Sequence, residues 1–272
     1  MRTLLHCPHV LGCFFALALL NTHCDTSNQR KTVSDEPAET KRTDTRSEHP
    51  DPDSKKQPEL LIRQQGTPIG ESRGILVLLH GYGAQGRDLM GLGSALGAPL
   101  SFTELYPQAP LALGNDRYAW FRRDGRGFSA ALQKVGGFLR GLRQQYPEKS
   151  IIIAGFSQGA MLSAQLLLDA QSALQGALLF SPAIQGELPV ESEAPRFPIF
   201  ISHGTQDRIL PFRGGKNLEQ QFTDAGYSVR FIEFQGGHSI PRIARKEAAN
   251  YLSERIQAEE KSEKPSKLLG LE

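Results

Sequence analysis

The sequence predicts an α/β fold in which helices flank a mostly parallel central sheet. Six short apolar runs suit strands that are buried on both faces. These runs are Ile75–His80, Phe102–Tyr106, Ile151–Ala154, Ala177–Phe180, Ile199–Ser202 and Val229–Phe234. Helical patterns lie between several of the runs, and such alternation favours βαβ units and a parallel sheet. Because ligands of these sheets bind at the carboxyl ends of the strands, we expect the functional residues there.

One helix is indicated by apolar residues that recur at spacings of three and four, which form a single helical face. They are Phe128, Leu132, Val135, Phe138, Leu142 and Tyr146. Two further helices are predicted to begin near Ser157 and near Pro241. The predicted folded domain runs from 59 to 258, and a charged flexible tail is expected from 259 to 272.

Composition narrows the function classes. The net charge is +2, from 31 basic and 29 acidic residues, so no nucleic-acid partner is expected. The three cysteines are Cys7, Cys13 and Cys24, all near the N-terminus. The folded domain therefore has no disulfide, no thiolate zinc site and no cysteine nucleophile.

The N-terminal segment is typical of an exported protein. Val10–Leu20 is a continuous apolar run that is too short to span a membrane, which takes about 20 residues, but suits a signal peptide over 1–23. Cys24 follows the run, and a lipid on this cysteine would tether the protein to a membrane. Residues 24–58 are polar and charged, and we expect them to form a disordered linker. These features predict a bacterial cell-envelope lipoprotein or a secreted protein.

A nucleophile is indicated by Gly155-Phe156-Ser157-Gln158-Gly159, which has the pattern G-x-S-x-G. The pattern follows a predicted buried strand and precedes a predicted helix. In that context the tight turn holds the serine hydroxyl above the sheet, near the positive end of the helix. Ser157 is therefore the predicted nucleophile.

A serine hydroxyl needs a general base, and the base needs a carboxylate to orient it. The order Ser, Asp, His along the chain is typical of hydrolases with this turn. Only His238, in a loop between a strand and a helix, fits that order among the histidines of the domain. Asp207 lies just past the run at Ile199–Ser202, at the same predicted sheet edge as Ser157. The predicted catalytic residues are Ser157, Asp207 and His238.

Acyl transfer also requires donors for an oxyanion. The backbone N–H of Gln158 is one predicted donor, and that of Tyr82, in the glycine-rich loop after Ile75–His80, is the other. The aromatic residues Trp120 and Phe121 lie in a segment expected to cover the catalytic face. They would form the wall of a site for short or medium acyl groups, or else pack this segment onto the core.

With these residues in place, the domain resembles the phospholipase/carboxylesterase family of α/β-hydrolases, which includes acyl-protein thioesterases. The resemblance rests on LLHGYGA, PQAP, YAWF, GFSQGAM, HGTQDRILP and GGHSIP. It implies an α/β-hydrolase fold with little or no lid, no cofactor, no metal and a small-molecule ester as substrate. It implies hydrolysis of carboxylic esters, with thioesters and lysophospholipids as further candidates. Members usually carry leucine at Tyr82, and often aspartate after Trp-Phe, where this chain has Arg122 and Arg123.

Two other interpretations remain open on the sequence. One is an exported esterase that removes acetyl or feruloyl groups from polysaccharide, or a serine peptidase. The other is an inactive hydrolase fold that serves as a lipoprotein binding module, although such proteins typically lose a catalytic residue. The sequence leaves the oligomeric state, the leaving group and the physiological substrate open.

Overall fold

A computed structural model describes residues 60–168, 174–184, 187–188 and 197–263 of the chain. The predicted signal peptide, Cys24, the linker up to 58 and residues 264–272 lie outside the described residues. The boundaries predicted from the sequence therefore stay predictions. The described residues belong to one compact unit.

The described residues form a seven-stranded sheet and a separate two-stranded ribbon. The strands are β1 (Ile62–Gly66), β2 (Gly74–Leu79), β3 (Thr103–Pro107), β4 (Leu111–Gly114), β5 (Arg117–Ala119), β6 (Ser150–Phe156), β7 (Gly176–Phe180), β8 (Ile199–Gly204) and β9 (Val229–Phe234). The sheet has the order β1-β3-β2-β6-β7-β8-β9. Strand β1 runs antiparallel to β3, and all other neighbours in the sheet are parallel. Strands β4 and β5 pair as the ribbon.

Five α-helices accompany these strands in the described part of the chain. They are α1 (Met90–Gly97), α2 (Phe128–Gln145), α3 (Gln158–Leu166), α4 (Phe212–Asp224) and α5 (Arg242–Glu263). Helices α3 and α5 begin where the sequence predicts, and α2 carries the predicted apolar face. Helix α5 continues past residue 258, where the sequence predicts the flexible tail to begin.

Alternating side chains of the central strands supply two cores, one on each face of the sheet. Ile151 and Ile153 of β6 pack in the core that includes Val135 of α2. Ile152 of β6 packs on the other face, in the core that includes Tyr251 of α5. Burying an aliphatic side chain of this kind contributes about 1.5–3 kcal/mol. The continuous apolar runs are therefore explained by burial on both faces, and the predicted α/β-hydrolase architecture is confirmed.

The six predicted strands all occur, with ends shifted by up to two residues. Strand β1 was not predicted, because its sequence IRQQG has no apolar run and the strand is partly exposed at the sheet edge. The β4–β5 ribbon is short and also half-exposed, so its pattern is weak.

The parallel strands bring the predicted functional loops to one edge of the sheet. Strands β2, β6, β8 and β9 all point the same way, and their carboxyl ends are followed by the segments that hold Tyr82, Ser157, Asp207 and His238. Over the described ranges, no helix combines the length and the apolar character needed to cross a membrane.

Candidate active site

Ser157 occupies a strained turn between β6 and α3. Its backbone has φ 54° and ψ −116°, which an L-residue with a side chain rarely adopts. The turn is held because Ser157 N–H donates to the Phe180 carbonyl at 3.0 Å, and Ser157 C=O accepts from Met161 N–H at 3.0 Å. This turn presents the residue at the carboxyl edge of the sheet, directly before the N-terminus of α3.

The two glycines of the pattern are required by close packing of backbone on backbone. A Cβ on Gly159 would collide with the carbonyl oxygen of Leu79, at the end of the neighbouring strand β2. A Cβ on Gly155 would lie 2.5 Å from the Gly159 carbonyl carbon. Both contacts fall well inside van der Waals distance, so larger residues would push the turn away from the sheet.

Asp207 and His238 meet across two neighbouring loops, one after β8 and one after β9. His238 Nδ1–H donates to Asp207 Oδ2 at 2.7 Å. The loops are joined by backbone bonds, among them Gln206 N–H to the Gly236 carbonyl at 2.9 Å. A Cβ on Gly204 would collide with the carbonyls of the second loop, so the close approach requires glycine there. This geometry fixes the orientation of the imidazole.

The second oxygen of the Asp207 carboxylate is also satisfied. Oδ1 accepts from the backbone N–H groups of Ile209 at 2.8 Å and Leu210 at 2.9 Å. Burial raises the pKa of Asp207, but the hydrogen bonds from His238, Leu210 and Ile209 outweigh burial and leave the pKa below its ordinary value. The carboxylate is therefore ionised near neutral pH and favours a proton on Nδ1 of His238.

His238 lies next to the nucleophile's strand. Its ring centroid is 4.8 Å from that of Phe156, the residue before Ser157, and its side chain is 14% exposed. The side chain is thus near enough to the surface to meet a substrate and is still supported by a buried carboxylate. The structure places all three predicted catalytic residues at this edge.

A second histidine, His203, approaches the same carboxylate from the protein interior. Its Nε2 lies 3.4 Å from Asp207 Oδ2 but donates to the Leu210 carbonyl at 2.8 Å. The side chain is fully buried, and burial holds the pKa of His203 below its ordinary value. His203 is therefore a neutral support for the Asp207–Leu210 turn, and it has no exposed surface with which to reach a substrate.

The loop after β2 packs directly against Ser157. A Cβ on Gly81 would lie 3.4 Å from Ser157 Cβ, and Tyr82, whose amide is the predicted donor, is the next residue. Gly83 N–H donates to the Tyr118 carbonyl at 2.8 Å and thereby fixes the loop. The other predicted donor, Gln158 N–H, is at the first position of α3, where helix geometry offers no intrahelical acceptor. Both predicted donors therefore belong to segments next to Ser157, and their role as oxyanion donors stays a prediction.

His80 shapes that loop from within the core. It is fully buried, its Nδ1–H donates to the Gly81 carbonyl at 2.8 Å, and its Nε2 accepts from Ala109 N–H at 3.1 Å. This arrangement uses the neutral tautomer, and burial lowers the pKa of His80 in agreement with it. His80 thus links the oxyanion loop to the segment after β3.

The predicted aromatic wall is anchored to the first residue of α3. The Gln158 side chain accepts from Trp120 N–H at 2.8 Å and donates to the Phe121 carbonyl at 2.7 Å. Trp120 Nε1–H donates to the His80 carbonyl at 2.8 Å, and the residue is 2% exposed. Trp120 therefore packs this segment onto the core, and substrate contact by Trp120 remains a prediction.

Phe121 borders a cleft of about 530 Å³ beside the nucleophile's helix. Apolar side chains form much of the cleft, namely Phe121, Phe128, Met161, Ala183 and Ile184. Its polar lining comprises Arg123, Asp124, Gln165 and Glu187. Met161 is one helical turn from Ser157, and Ser157 itself is not part of the lining. We call it the α3 cleft.

In the residues that the structure describes, no cluster of His, Cys, Asp or Glu has the grouping of a metal site. The groups that the structure brings to this edge are a serine in a strained turn and an imidazole oriented by a carboxylate. A sequence profile of the phospholipase/carboxylesterase family matches residues 66–256. The chain belongs to this family. Membership identifies it as an ester hydrolase.

Relatives support the same family assignment. MhqD of Bacillus subtilis, which is named as a hydrolase, is 27% identical over 198 residues, 69% of this chain and 96% of that protein. Acyl-protein thioesterase 1 of Eremothecium gossypii is 28% identical over 168 residues, 58% of this chain and 72% of the thioesterase. The crystal structure of esterase PE8 superimposes with a TM-score of 0.61 at 29% identity, covering 72% of this chain and 99% of PE8.

Sequence reasoning assigned no role to two residues that line the α3 cleft, and it marked a third, Arg123, as a departure from the family pattern. Met161 and Ile184 line the α3 cleft, and Arg123 stands at its border. Met161 follows Ser157 by four residues, so helical spacing could have placed it beside the nucleophile. Ile184 comes from the segment after β7, and no local pattern marks it.

Proposed function

We propose that this protein hydrolyses carboxylic esters through Ser157, His238 and Asp207. The observation that carries the proposal is the 2.7 Å hydrogen bond between His238 and Asp207 beside the strained Ser157 turn. A histidine held in this way can act as a base, and a serine in this turn projects toward the substrate. The family membership supports ester hydrolysis and leaves the substrate open.

The proposed mechanism proceeds in two stages. In the first, the Ser157 hydroxyl attacks the ester carbonyl while His238 Nε2 accepts its proton, and ionised Asp207 stabilises the imidazolium. The N–H groups of Tyr82 and Gln158 bind the oxyanion. His238 then donates its proton to the leaving alcohol, and an acyl-enzyme remains on Ser157. In the second stage His238 accepts a proton from a water molecule that attacks the acyl carbon, and it then returns the proton to Ser157 as the acid is released.

A fluorophosphonate probe tests this assignment directly. Such probes phosphonylate an activated serine, so the wild-type protein should be labelled at Ser157 with loss of activity on a soluble aryl ester. The Ser163→Ala variant should label normally, because Ser163 lies within α3 and its hydroxyl donates to the Gly159 carbonyl. Absence of labelling in a folded sample that also fails to hydrolyse aryl esters would favour a binding module instead.

We further propose that the protein is exported, with its mature N-terminus at or near Cys24 and a lipid on that cysteine as a membrane tether. This proposal rests on the apolar run Val10–Leu20 and on the polar stretch that follows. A linker of about 34 residues would span roughly 30–35 Å as a flexible coil, enough to hold the domain clear of lipid headgroups. Mass spectrometry of the N-terminal peptide tests the cleavage site and the modification together.

A further inference from the structure

An arginine stacks on the residue that carries one of the proposed oxyanion donors. The guanidinium carbon of Arg123 lies 4.7 Å from the centroid of the Tyr82 ring. Arg123 is exposed, and it comes from the segment between β5 and α2, so the contact joins two loops at the catalytic edge. Stacking on an aromatic face holds a guanidinium in place and leaves its N–H edge free to bind an anion.

The positive charge of Arg123 has no carboxylate partner among the described residues. Asp124, the adjacent acid, accepts two hydrogen bonds from the guanidinium of Arg126, at 2.9 Å and 2.7 Å, and lies 3.8 Å from Arg122. These two arginines hold the pKa of Asp124 below its ordinary value. The acid is thus already shared by two cations, and Arg123 is left as the cation available to a ligand.

A second guanidinium adds to the positive charge on the oxyanion loop. A Cβ placed on Gly83 would lie 3.2 Å from Nη2 of Arg117, so this arginine packs against the residue next to Tyr82. Arg117 and Arg123 therefore flank Tyr82–Gly83 with two positive charges. Cations clustered beside a cleft raise the local concentration of anionic ligands and speed their association.

Arg123 also borders the α3 cleft, whose walls are apolar near Met161 and Ile184. An extended chain bound there would have its apolar part against these side chains and its end beside the guanidinium. Two acids line the cleft as well: Glu187, from the segment after β7, and Asp124, which is paired with Arg126. A ligand with a single negative charge is therefore favoured over a dianion. A carboxylate carries one charge, and its planar shape allows it to pair with a guanidinium.

We propose that Arg123, held by Tyr82, binds a carboxylate on the substrate, and that the preferred substrates are esters of this kind. The carboxylate would lie on the half of the ester that enters the α3 cleft. This inference rests on the proposed ester hydrolysis and names its substrate class. Arg123 is a specificity-determining residue in this proposal, since it takes no part in bond breaking.

The test compares charged and neutral esters of matched size on the purified enzyme. For the acyl half, the pair is the 4-nitrophenyl monoester of adipate and 4-nitrophenyl hexanoate. For the alcohol half, the pair is 3-acetoxybenzoate and 3-acetoxybenzamide. The kcat/KM ratio of charged to neutral ester is measured for the wild type, Arg123→Gln and the control Arg126→Gln, which removes a neighbouring cation that is already paired.

Arg123→Gln is expected to lower the charged-to-neutral ratio in at least one pair by about 10- to 100-fold, the usual size of a hydrogen bond to a charged group. Arg126→Gln should change the ratio less than threefold. If the enzyme hydrolyses both neutral esters and Arg123→Gln leaves the charged-to-neutral ratio unchanged in both pairs, the carboxylate site is overturned and the proposed ester hydrolysis stands. Failure of the folded wild type to hydrolyse any of the four esters would overturn the proposed function as well. Equal effects of the two variants would reduce the site to general surface charge.

Discussion

Nδ1 of His238 lies 2.7 Å from Oδ2 of Asp207, and this bond joins the loops that follow the neighbouring strands β8 and β9. The other carboxylate oxygen is held by two backbone amides. The backbone of its own turn therefore holds the Asp207 carboxylate independently of the hydrogen bond to His238. Such a carboxylate can set the tautomer of His238 without moving, which is what a general base beside Ser157 requires.

The first prediction concerns the nucleophile. Ser157→Ala should lower kcat on soluble aryl esters by about four to six orders of magnitude and leave the fold intact, because the methyl side chain fits the same turn. The measurement is turnover by purified enzyme, with circular dichroism and thermal unfolding to check folding. Ser163→Ala serves as control and should retain activity within a few-fold. If the folded Ser157→Ala enzyme kept near wild-type turnover, the assignment of Ser157 as the nucleophile would be wrong.

The second prediction separates the two histidines near Asp207. His238→Ala should be about as damaging to kcat as the loss of Ser157, because the two residues act as a unit. Asp207→Asn should lower kcat by about 10⁴-fold, since it disfavours the required tautomer. His203→Ala should mainly reduce stability, because this buried ring supports the Leu210 carbonyl.

Parallel measurements of kcat and of the free energy of unfolding distinguish these effects. If His203→Ala proved more damaging to kcat than His238→Ala, with folding unchanged, the assignment of the base would be wrong.

The third prediction concerns the Gln158 side chain, which bridges α3 and the segment at Trp120 and Phe121. Gln158→Leu removes the partners of a buried N–H and a buried C=O. Each of the two unsatisfied buried groups costs about 1–3 kcal/mol, so the free energy of unfolding should fall by about 2–6 kcal/mol. Urea denaturation measures it. The matched control is Gln220→Leu, where the amide bonds only an exposed aspartate, and its effect should stay within about 0.5 kcal/mol.

The fourth prediction is a pH dependence of stability that arises at Glu104, a residue with no part in the proposed reaction. This carboxyl is fully buried in β3, and Tyr106 O–H donates to its Oε2 at 2.5 Å. Its Oε1 has no hydrogen-bond partner in the structure. Burial raises the pKa of Glu104 and outweighs the opposite effect of the Tyr106 hydrogen bond. The folded protein therefore holds this proton more tightly than the unfolded chain does.

The raised pKa of Glu104 stabilises the folded protein fully at pH values below the pKa of a glutamate in the unfolded chain, which is about 4.3. This contribution is lost as the pH rises through the pKa that Glu104 has in the folded protein. Glu104→Gln should remove that loss. The variant should gain stability relative to wild type between pH 5 and pH 8, by about 1–3 kcal/mol if the ionised carboxylate remains unpaired. Exposed Glu148→Gln is the control. A stability difference that does not change with pH would show that Glu104 does not titrate in this range.

Sequence patterns predicted those parts of the fold that are decided by local burial. The run IIIA at Ile151–Ala154 is apolar on both faces, and its strand was predicted to within one residue at its start and two at its end. Strand β1 escaped prediction because pairing with β3, and not its own apolar content, makes it a strand. The sequence pattern within β1 gives no information about the strand with which it pairs.

The same limit applies to the candidate site. Ser157 and the amide of Gln158 belong to one short motif, and chain order pointed to Asp207 and His238. The contact of Arg123 with Tyr82 joins segments about forty residues apart, and neither residue's sequence context indicates the other. Likewise, the fixed aromatic segment at Trp120 depends on a side chain from α3. Contacts of this kind depend on the tertiary arrangement and become visible only in the structure.

The last prediction concerns acyl-chain length. The α3 cleft is about 530 Å³, with apolar walls near Met161 and Ile184 and charged groups at Arg123, Asp124 and Glu187. A short or medium chain would lie against the apolar walls, and each buried methylene contributes about 0.8 kcal/mol. A longer chain would reach the charged groups, where further methylenes gain little. We therefore expect higher kcat/KM for acetyl to hexanoyl esters than for palmitoyl esters, measured on esters of two to sixteen carbons at concentrations below micelle formation.

The Ile184→Ala variant removes part of the apolar wall, so it should lower kcat/KM for hexanoyl esters more than for acetyl esters. A maximum at twelve carbons or more would instead favour a lysophospholipid or long-chain thioester as the substrate.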